Sequence, residues 1–97
     1  MEITLSTGQT AFALDDVRAV LKAALSREAI LARTRRNAYE RTCQDFEAQF
    51  KITSDQFLRD FEAGTLGDDL ECFDWYAAKR GLDLWDRRTE ILSGVAV

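Results

Sequence analysis

The chain contains no proline, and no glycine interrupts residues 16–51. Because proline and glycine are the residues that most often end or bend a helix, this stretch can form one helix of about 36 residues, roughly 54 Å long. A compact chain of about 100 residues has a radius of gyration of only about 13 Å. The helix must therefore either break, with residues 34–37 as the place for a break, or project as a long arm. The lack of a breaker favours the arm.

The remaining segments predict an all-α fold of one domain. With 97 residues, 46% of them apolar and 31% charged, the chain has the composition of a globular protein. We expect an antiparallel hairpin of two long helices, a short connecting helix and a β-like N-terminal arm. Residues 2–14 are rich in β-formers around Gly8, which is typical of a short strand, a hairpin or an extended arm. The predicted bounds are 1–14 for the arm, 15–51 and 69–92 for the long helices, and 54–63 for the short helix.

Local signals mark the ends of the short helix. Thr53 and Gln56 have the spacing of a capping box, in which the hydroxyl accepts from the amide near Gln56 and the Gln56 side chain reaches back. Gly64 is placed to end the helix in the left-handed conformation.

Both long helices carry apolar stripes. In the first, one stripe comprises Leu14, Val17, Leu21, Ala24 and Leu31, widened by Val20 and Leu25. The pattern turns polar over residues 33–37 and resumes with Tyr39, Cys43, Phe46 and Phe50. The last helix has two interleaved stripes that merge into an apolar arc of about 200°. One antiparallel helix cannot cover such an arc, so a third element or a second chain is implied. The two stripes are Leu70, Phe73, Ala77, Gly81, Leu84 and Ile91, and Trp75, Ala78, Leu82, Trp85, Thr89 and Leu92.

Several kinds of chemistry are missing from the sequence. There is no histidine, which excludes Ser-His and Cys-His nucleophiles and histidine metal sites. Cys43 and Cys72 are the only cysteines, and in a chain without an export signal they are expected to be buried thiols. We therefore expect no enzyme activity, no metal and no cofactor. The absence of a leader and of a long apolar run predicts a cytoplasmic protein that does not enter the membrane.

Charge is distributed unevenly. Residues 15–52 carry eight basic and six acidic side chains, whereas residues 53–76 carry seven acidic and one basic. The acidic centre suits a basic partner and disfavours broad nucleic-acid binding. Its carboxylates at Asp68, Asp69, Glu71 and Asp74 are first of all expected to cap a helix, with protein docking as the alternative and a metal or catalytic site as the least favoured.

Nucleic-acid binding has one candidate surface, a basic stretch in the first long helix. A helix-turn-helix interpretation fails because acidic residues begin the last helix, where phosphates would be repelled. The basic stretch itself is most often a solvated helix face or a set of ion-pair partners. Its residues are Arg33, Arg35, Arg36 and Arg41.

A distinctive motif precedes the acidic, aromatic last helix. Its residues are Phe61, Glu62, Gly64, Leu66, Gly67 and Asp68. With this motif, the second half of the chain resembles small prokaryotic proteins of two long helices that are described as uncharacterised or as antitoxin-like components of toxin–antitoxin pairs. The resemblance covers roughly half of the chain and implies a protein partner, such as a cognate toxin.

The functional prediction is a non-enzymatic, antitoxin-like protein-interaction module that masks a basic or active surface of its partner. The alternatives are a structural homodimer and a nucleic-acid-binding regulator that uses the basic stretch. Aromatic side chains are enriched at the centres of interfaces, and acidic ones would complement a basic partner. The predicted partner-binding residues are Asp68, Asp69, Phe73, Trp75, Tyr76, Leu82 and Trp85.

Overall fold

A computed structural model describes residues 12–67 and 69–97 of the chain. These residues form three helices: α1 spans Leu14–Phe50, α2 spans Ser54–Glu62 and α3 spans Leu70–Ser93. The all-α prediction is confirmed. The β-like arm lies outside the described residues, except for its last three positions, of which Leu14 is already helical.

Helix α1 is one continuous helix of 37 residues, without a break at residues 34–37. The molecule is accordingly elongated, with extents of 60 × 22 × 20 Å and a radius of gyration of 19.1 Å. A compact chain of this length would have a radius of gyration of about 13 Å. The length of α1 thus sets the length of the molecule.

Helices α1 and α3 pack against each other, and their contacts pair in opposite order along the chain. The rings of Phe46 and Trp75 are 5.4 Å apart. Ten residues earlier in α1, Arg36 binds Asp86, which follows Trp75 by eleven residues. Between these contacts the Tyr39 ring lies so close to Gly81 that a Cβ atom at Gly81 would be 2.7 Å from it. The absence of a side chain at Gly81 therefore makes room for the Tyr39 ring against α3.

The face that α1 turns towards α3 follows the predicted stripe in part. Leu25 is half-buried and Cys43 is buried, as the stripe predicts. Val20 and Leu31, which the stripe also includes, remain 68% and 38% exposed. Ala32 lies outside the stripe and is buried.

Helix α2 begins with one of the two hydrogen bonds of the predicted capping box. The Thr53 hydroxyl oxygen accepts a 3.1 Å hydrogen bond from the Gln56 amide. The Gln56 side chain does not reach back; it donates to the Asp60 carboxylate at 2.9 Å. The Ser54 amide instead donates to the Glu47 carboxylate at 2.7 Å, and this bond joins α2 to the end of α1.

Two residues with positive φ shape the ends of α1 and α2. Lys51 ends α1 at φ 63°, and its amide donates to the Glu47 carbonyl at 2.9 Å. Gly64 follows α2 at φ 73°, as the sequence predicted. The left-handed conformation suits a glycine, which lacks a Cβ.

The core lies where the three helices meet. Trp75 of α3 is 2% exposed and stacks on Phe57 of α2, with ring centroids 4.0 Å apart. Its indole Nε1 donates to Ser54 Oγ at 2.9 Å, so the buried nitrogen is satisfied. Rings and small side chains complete this core: Cys43, Phe46, Phe61 and Ala78. The Phe50 ring is 42% exposed and stacks at the edge of the core, 5.7 Å from the Trp75 ring.

Candidate protein-interaction surface

The two apolar stripes of α3 have different surroundings. The inner stripe faces α1: Trp75 and Ala78 are buried, and Leu82, Trp85, Thr89 and Leu92 are half-buried. The outer stripe remains exposed to solvent, although it is as apolar as the inner one. Its large side chains are Leu70, Phe73, Leu84 and Ile91, exposed by 75%, 49%, 48% and 45%.

Helix α2 covers one side of the layer that α1 and α3 form. Lys79 marks this side, because its ammonium group binds the Asp55 carboxylate of α2 at 2.9 Å. Gly81 and Tyr39 mark the opposite side, since Gly81 is two residues beyond Lys79 and therefore about 200° away around α3. No element among the described residues covers this opposite side.

We call this uncovered side the open face. Each residue of an α-helix is turned by about 100° from the one before it. Counting from the residues that contact the other helix, this spacing assigns exposed apolar side chains of both long helices to the open face. The outer stripe of α3 thus continues onto α1 across the contact between Tyr39 and Gly81. The open face comprises Val20, Leu31, Tyr39, Leu70 and Leu84, with Ile91 at its outer edge.

An arginine–tryptophan cluster lies near the middle of the open face. The guanidinium of Arg35, from α1, is 4.8 Å from the Trp85 ring centroid, and that of Arg88, from α3, is 4.6 Å from it. Neither arginine has an ion-pair partner within the described residues. Because two unpaired guanidinium groups lie against one half-buried ring, a group that binds to them is expected to be a carboxylate.

The opposite charge lies at the end of the molecule nearest α2. Asp69, Glu71 and Asp74 are exposed and have no ion-pair partner within residues 12–67 and 69–97. Asp68, the fourth predicted acidic residue, lies outside the described residues. Asp74 and Arg88 are about 21 Å apart along α3, so the acidic residues at the start of the helix lie about four turns from the arginine–tryptophan cluster.

The structure separates the predicted partner-binding residues. Asp69 and Phe73 are exposed, but Trp75 is buried in the core, which corrects its assignment to a partner contact. Leu82 and Trp85 face α1. Of these two side chains, only Trp85 contributes to the open face, where its ring contacts Arg35 and Arg88. Trp75 belongs to the inner stripe, whose side chains pack against α1, and is therefore not accessible to a partner. Tyr76 is half-buried and stacks on Phe61 at 4.6 Å.

Sequence reasoning did not select the residues that dominate the open face. Leu70 and Leu84 were in a predicted stripe, but they were not chosen as partner contacts. Their signal is a repeat of seven residues, which keeps side chains on one side of a helix. The repeat is Leu70, Ala77, Leu84 and Ile91.

The four predicted nucleic-acid contacts do not form one patch. Arg36 donates to the Asp86 carboxylate at 2.7 Å and to that of Glu40 at 2.9 Å, and these hydrogen bonds raise its pKa. Arg33 and Arg35 are about 200° apart around α1, because Arg35 is two positions after Arg33. Arg35 contributes to the open face, and Arg36 belongs to the contact with α3. The arginines are therefore distributed around the helix.

The remaining reactive side chains are the thiols of Cys43 and Cys72 and the ammonium group of Lys79. Burial raises the pKa of the Cys43 thiol and that of Cys72, and both cysteines are free. Burial of the Lys79 ammonium opposes its charge, but the hydrogen bonds that the ammonium donates to Asp83 and Asp55 outweigh burial and raise its pKa. Lys79 is thus held as a charged ion-pair partner. Among the described residues, no three acidic or cysteine side chains are grouped as metal ligands.

No protein-family model matches the chain, and no curated protein or solved structure gives a significant match. The resemblance to antitoxin-like proteins therefore stays a prediction. In the part of the chain that the structure describes, every helix is too short or too polar to cross a bilayer.

Proposed function

We propose that this protein is a non-enzymatic protein-interaction module that binds a helix of a protein partner on its open face. One observation carries the proposal. Helix α3 exposes Leu70, Leu84 and Ile91 although its inner stripe already supplies the contact with α1. Contiguous exposed apolar side chains mark interaction sites, because covering them releases about 25 cal/mol for each Å² of apolar surface.

The open face also defines the chemistry of the partner helix. Leu31, Tyr39 and Leu84 require an apolar surface opposite them. Arg35 and Arg88 require a carboxylate on the partner helix, placed over the Trp85 ring. Tryptophan, tyrosine and arginine are the residue types that contribute most to binding at interfaces. A helix with one apolar side and an acidic flank meets these requirements.

An antitoxin-like role, in which this chain covers a basic surface of a toxin, is a second candidate. It is favoured by the exposed carboxylates Asp69, Glu71 and Asp74, which have no ion-pair partner among the described residues and lie at one end of the molecule. In that role the acidic end would approach the basic surface and the open face would add apolar contacts. Reversing the charge of Glu71 and Asp69 together would weaken such a complex, and a complex that survived the reversal would exclude this role.

Photo-crosslinking tests whether the open face is the binding surface. The photoreactive residue p-benzoyl-phenylalanine is placed at position 84, on the open face, or at position 90, an exposed position of the same helix on the other side. We expect position 84 to give a covalent protein adduct in source cells and position 90 to give none. Equal adducts at both positions, or none at position 84, would contradict the proposal.

Nucleic-acid binding is tested separately, because it uses other residues. The arginine-bearing helix α1 would bind DNA or RNA at low salt, and Arg33→Ala with Arg41→Ala would flatten the salt dependence. The ion pairs of Arg36 with Asp86 and Glu40 count against this function. A lack of binding at low salt eliminates it.

A further inference from the structure

We infer that the occupant of the open face is a second copy of this chain, packed antiparallel around a two-fold axis near Gly81. The inference rests on the proposed function, because it identifies the helix that binds there. In a two-fold dimer the same patch is used by both copies, so the patch must be complementary to itself. The open face meets this condition in its charges, its apolar residues and its centre.

The charges are placed symmetrically about Gly81. Asp74 precedes Gly81 by seven residues and Arg88 follows it by seven. Seven residues are about two helical turns, so each side chain lies about 10.5 Å from Gly81 along α3, on a similar side of the helix. A two-fold axis at Gly81 therefore brings Asp74 of each copy to the arginine–tryptophan cluster of the other. Both groups have no ion-pair partner within the described residues of their own chain.

The apolar side chains follow the same symmetry. Leu70 precedes Gly81 by eleven residues, and Ile91 follows it by ten. The same axis thus places Leu70 of one copy beside Ile91 of the other, and both side chains are exposed, at 75% and 45%. A parallel arrangement would instead bring like charges together, with Arg88 against Arg88.

The centre of the open face is apolar. The Tyr39 ring of α1 fills the space that a side chain at Gly81 would occupy, so this ring covers Gly81. Ala77, one turn earlier, adds only a methyl group and lets another helix approach there. Tyr39 and Ala77 therefore form the apolar centre of the dimer.

Sedimentation equilibrium of the purified chain, with charge-reversal variants, tests the inference. We expect the wild-type protein to be a dimer, and Asp74→Arg or Arg88→Asp to raise its dissociation constant by about tenfold or more, because each substitution affects two symmetric pairs. The double variant, Asp74→Arg with Arg88→Asp, restores opposite charges and should return the constant to within about threefold of wild type. Glu90→Arg is the control, since position 90 is exposed on another side of the helix.

The possible failures are distinguishable. A double variant that is no better than the single variants, or a wild-type chain that sediments as a monomer, overturns the second copy as occupant. Circular dichroism of each variant verifies that its helices are formed. If the wild type is a monomer while a crosslinker at position 84 captures another protein, this inference fails and the proposed function remains. If position 84 captures neither another protein nor a second copy, both fail.

Discussion

The indole Nε1 of Trp75 donates a 2.9 Å hydrogen bond to Oγ of Ser54, 21 residues earlier in the chain. This buried bond fixes the first turn of α2 against α3, and the Phe57 ring stacks on the indole with an interplanar angle of 7°. Helix α2 is therefore held on one side of the layer of long helices. The open face is exposed because this bond and stack commit the only short helix among the described residues to the other side.

Removing the acceptor of this bond should destabilise the fold. Ser54→Ala leaves the indole nitrogen buried without a partner, and we expect the free energy of unfolding to fall by about 1–3 kcal/mol. In a Trp75→Phe background the donor is absent, so the same substitution should cost less. Urea unfolding followed by circular dichroism measures both differences. An equal cost in the two backgrounds would show that the bond contributes nothing.

The contact between Gly81 and Tyr39 predicts a background-dependent effect of Gly81→Ala. In an open helix interior this substitution stabilises by about 1 kcal/mol, because alanine is the better helix former. In the wild-type chain the new Cβ would meet the Tyr39 ring at 2.7 Å, so the gain should be lost to displacement of the ring. After Tyr39→Ala the gain should reappear in thermal or urea unfolding. The same effect with and without Tyr39 would contradict the close contact.

The ion pair of Asp55 with Lys79 predicts a pH dependence of stability. Hydrogen bonding to the Lys79 ammonium lowers the pKa of the Asp55 carboxyl below its ordinary value of 3.8. A carboxyl whose pKa is lower in the folded state stabilises the fold above its ordinary pKa, and this stabilisation is lost as the pH falls through the folded-state value.

Asp55→Asn should therefore be less stable than wild type at neutral pH, by less than about 1 kcal/mol because the Asp55 side chain is 72% exposed. The difference should shrink as the solution is acidified below pH 3.8. Urea unfolding across this pH range measures it, with Glu62→Gln as the control for loss of an exposed carboxylate. A difference that stays constant or grows on acidification would contradict the pair.

Features set by neighbouring residues could be predicted from the sequence. The helical nature of the chain, the Thr53 cap and the left-handed Gly64 depend on a few adjacent side chains, and each is found in the structure. The surplus apolar arc of α3 was also visible, because a periodic pattern records how much of a helix is apolar.

The choice between the stripes of α3 could not be predicted, because both are apolar and have the same period. It depends on contacts between distant residues: Ser54 with Trp75, and Tyr39 with Gly81. The periodicity of the sequence does not indicate which residues far apart in the chain contact each other. Trp75 therefore looked like a partner contact, whereas Leu84 was passed over.

Helix α3 uses one apolar stripe for the core and leaves the other exposed to solvent. Leu82 and Leu84 test this division most directly, since they are the same residue type, two positions apart, and point to different sides. The measurement is the urea unfolding free energy of Leu82→Ala and Leu84→Ala at concentrations low enough that association does not contribute. We predict a loss of about 1–3 kcal/mol for Leu82→Ala and of less than about 0.5 kcal/mol for Leu84→Ala. Equal losses, or a larger loss at Leu84, would contradict the division of α3 into a core stripe and an exposed stripe.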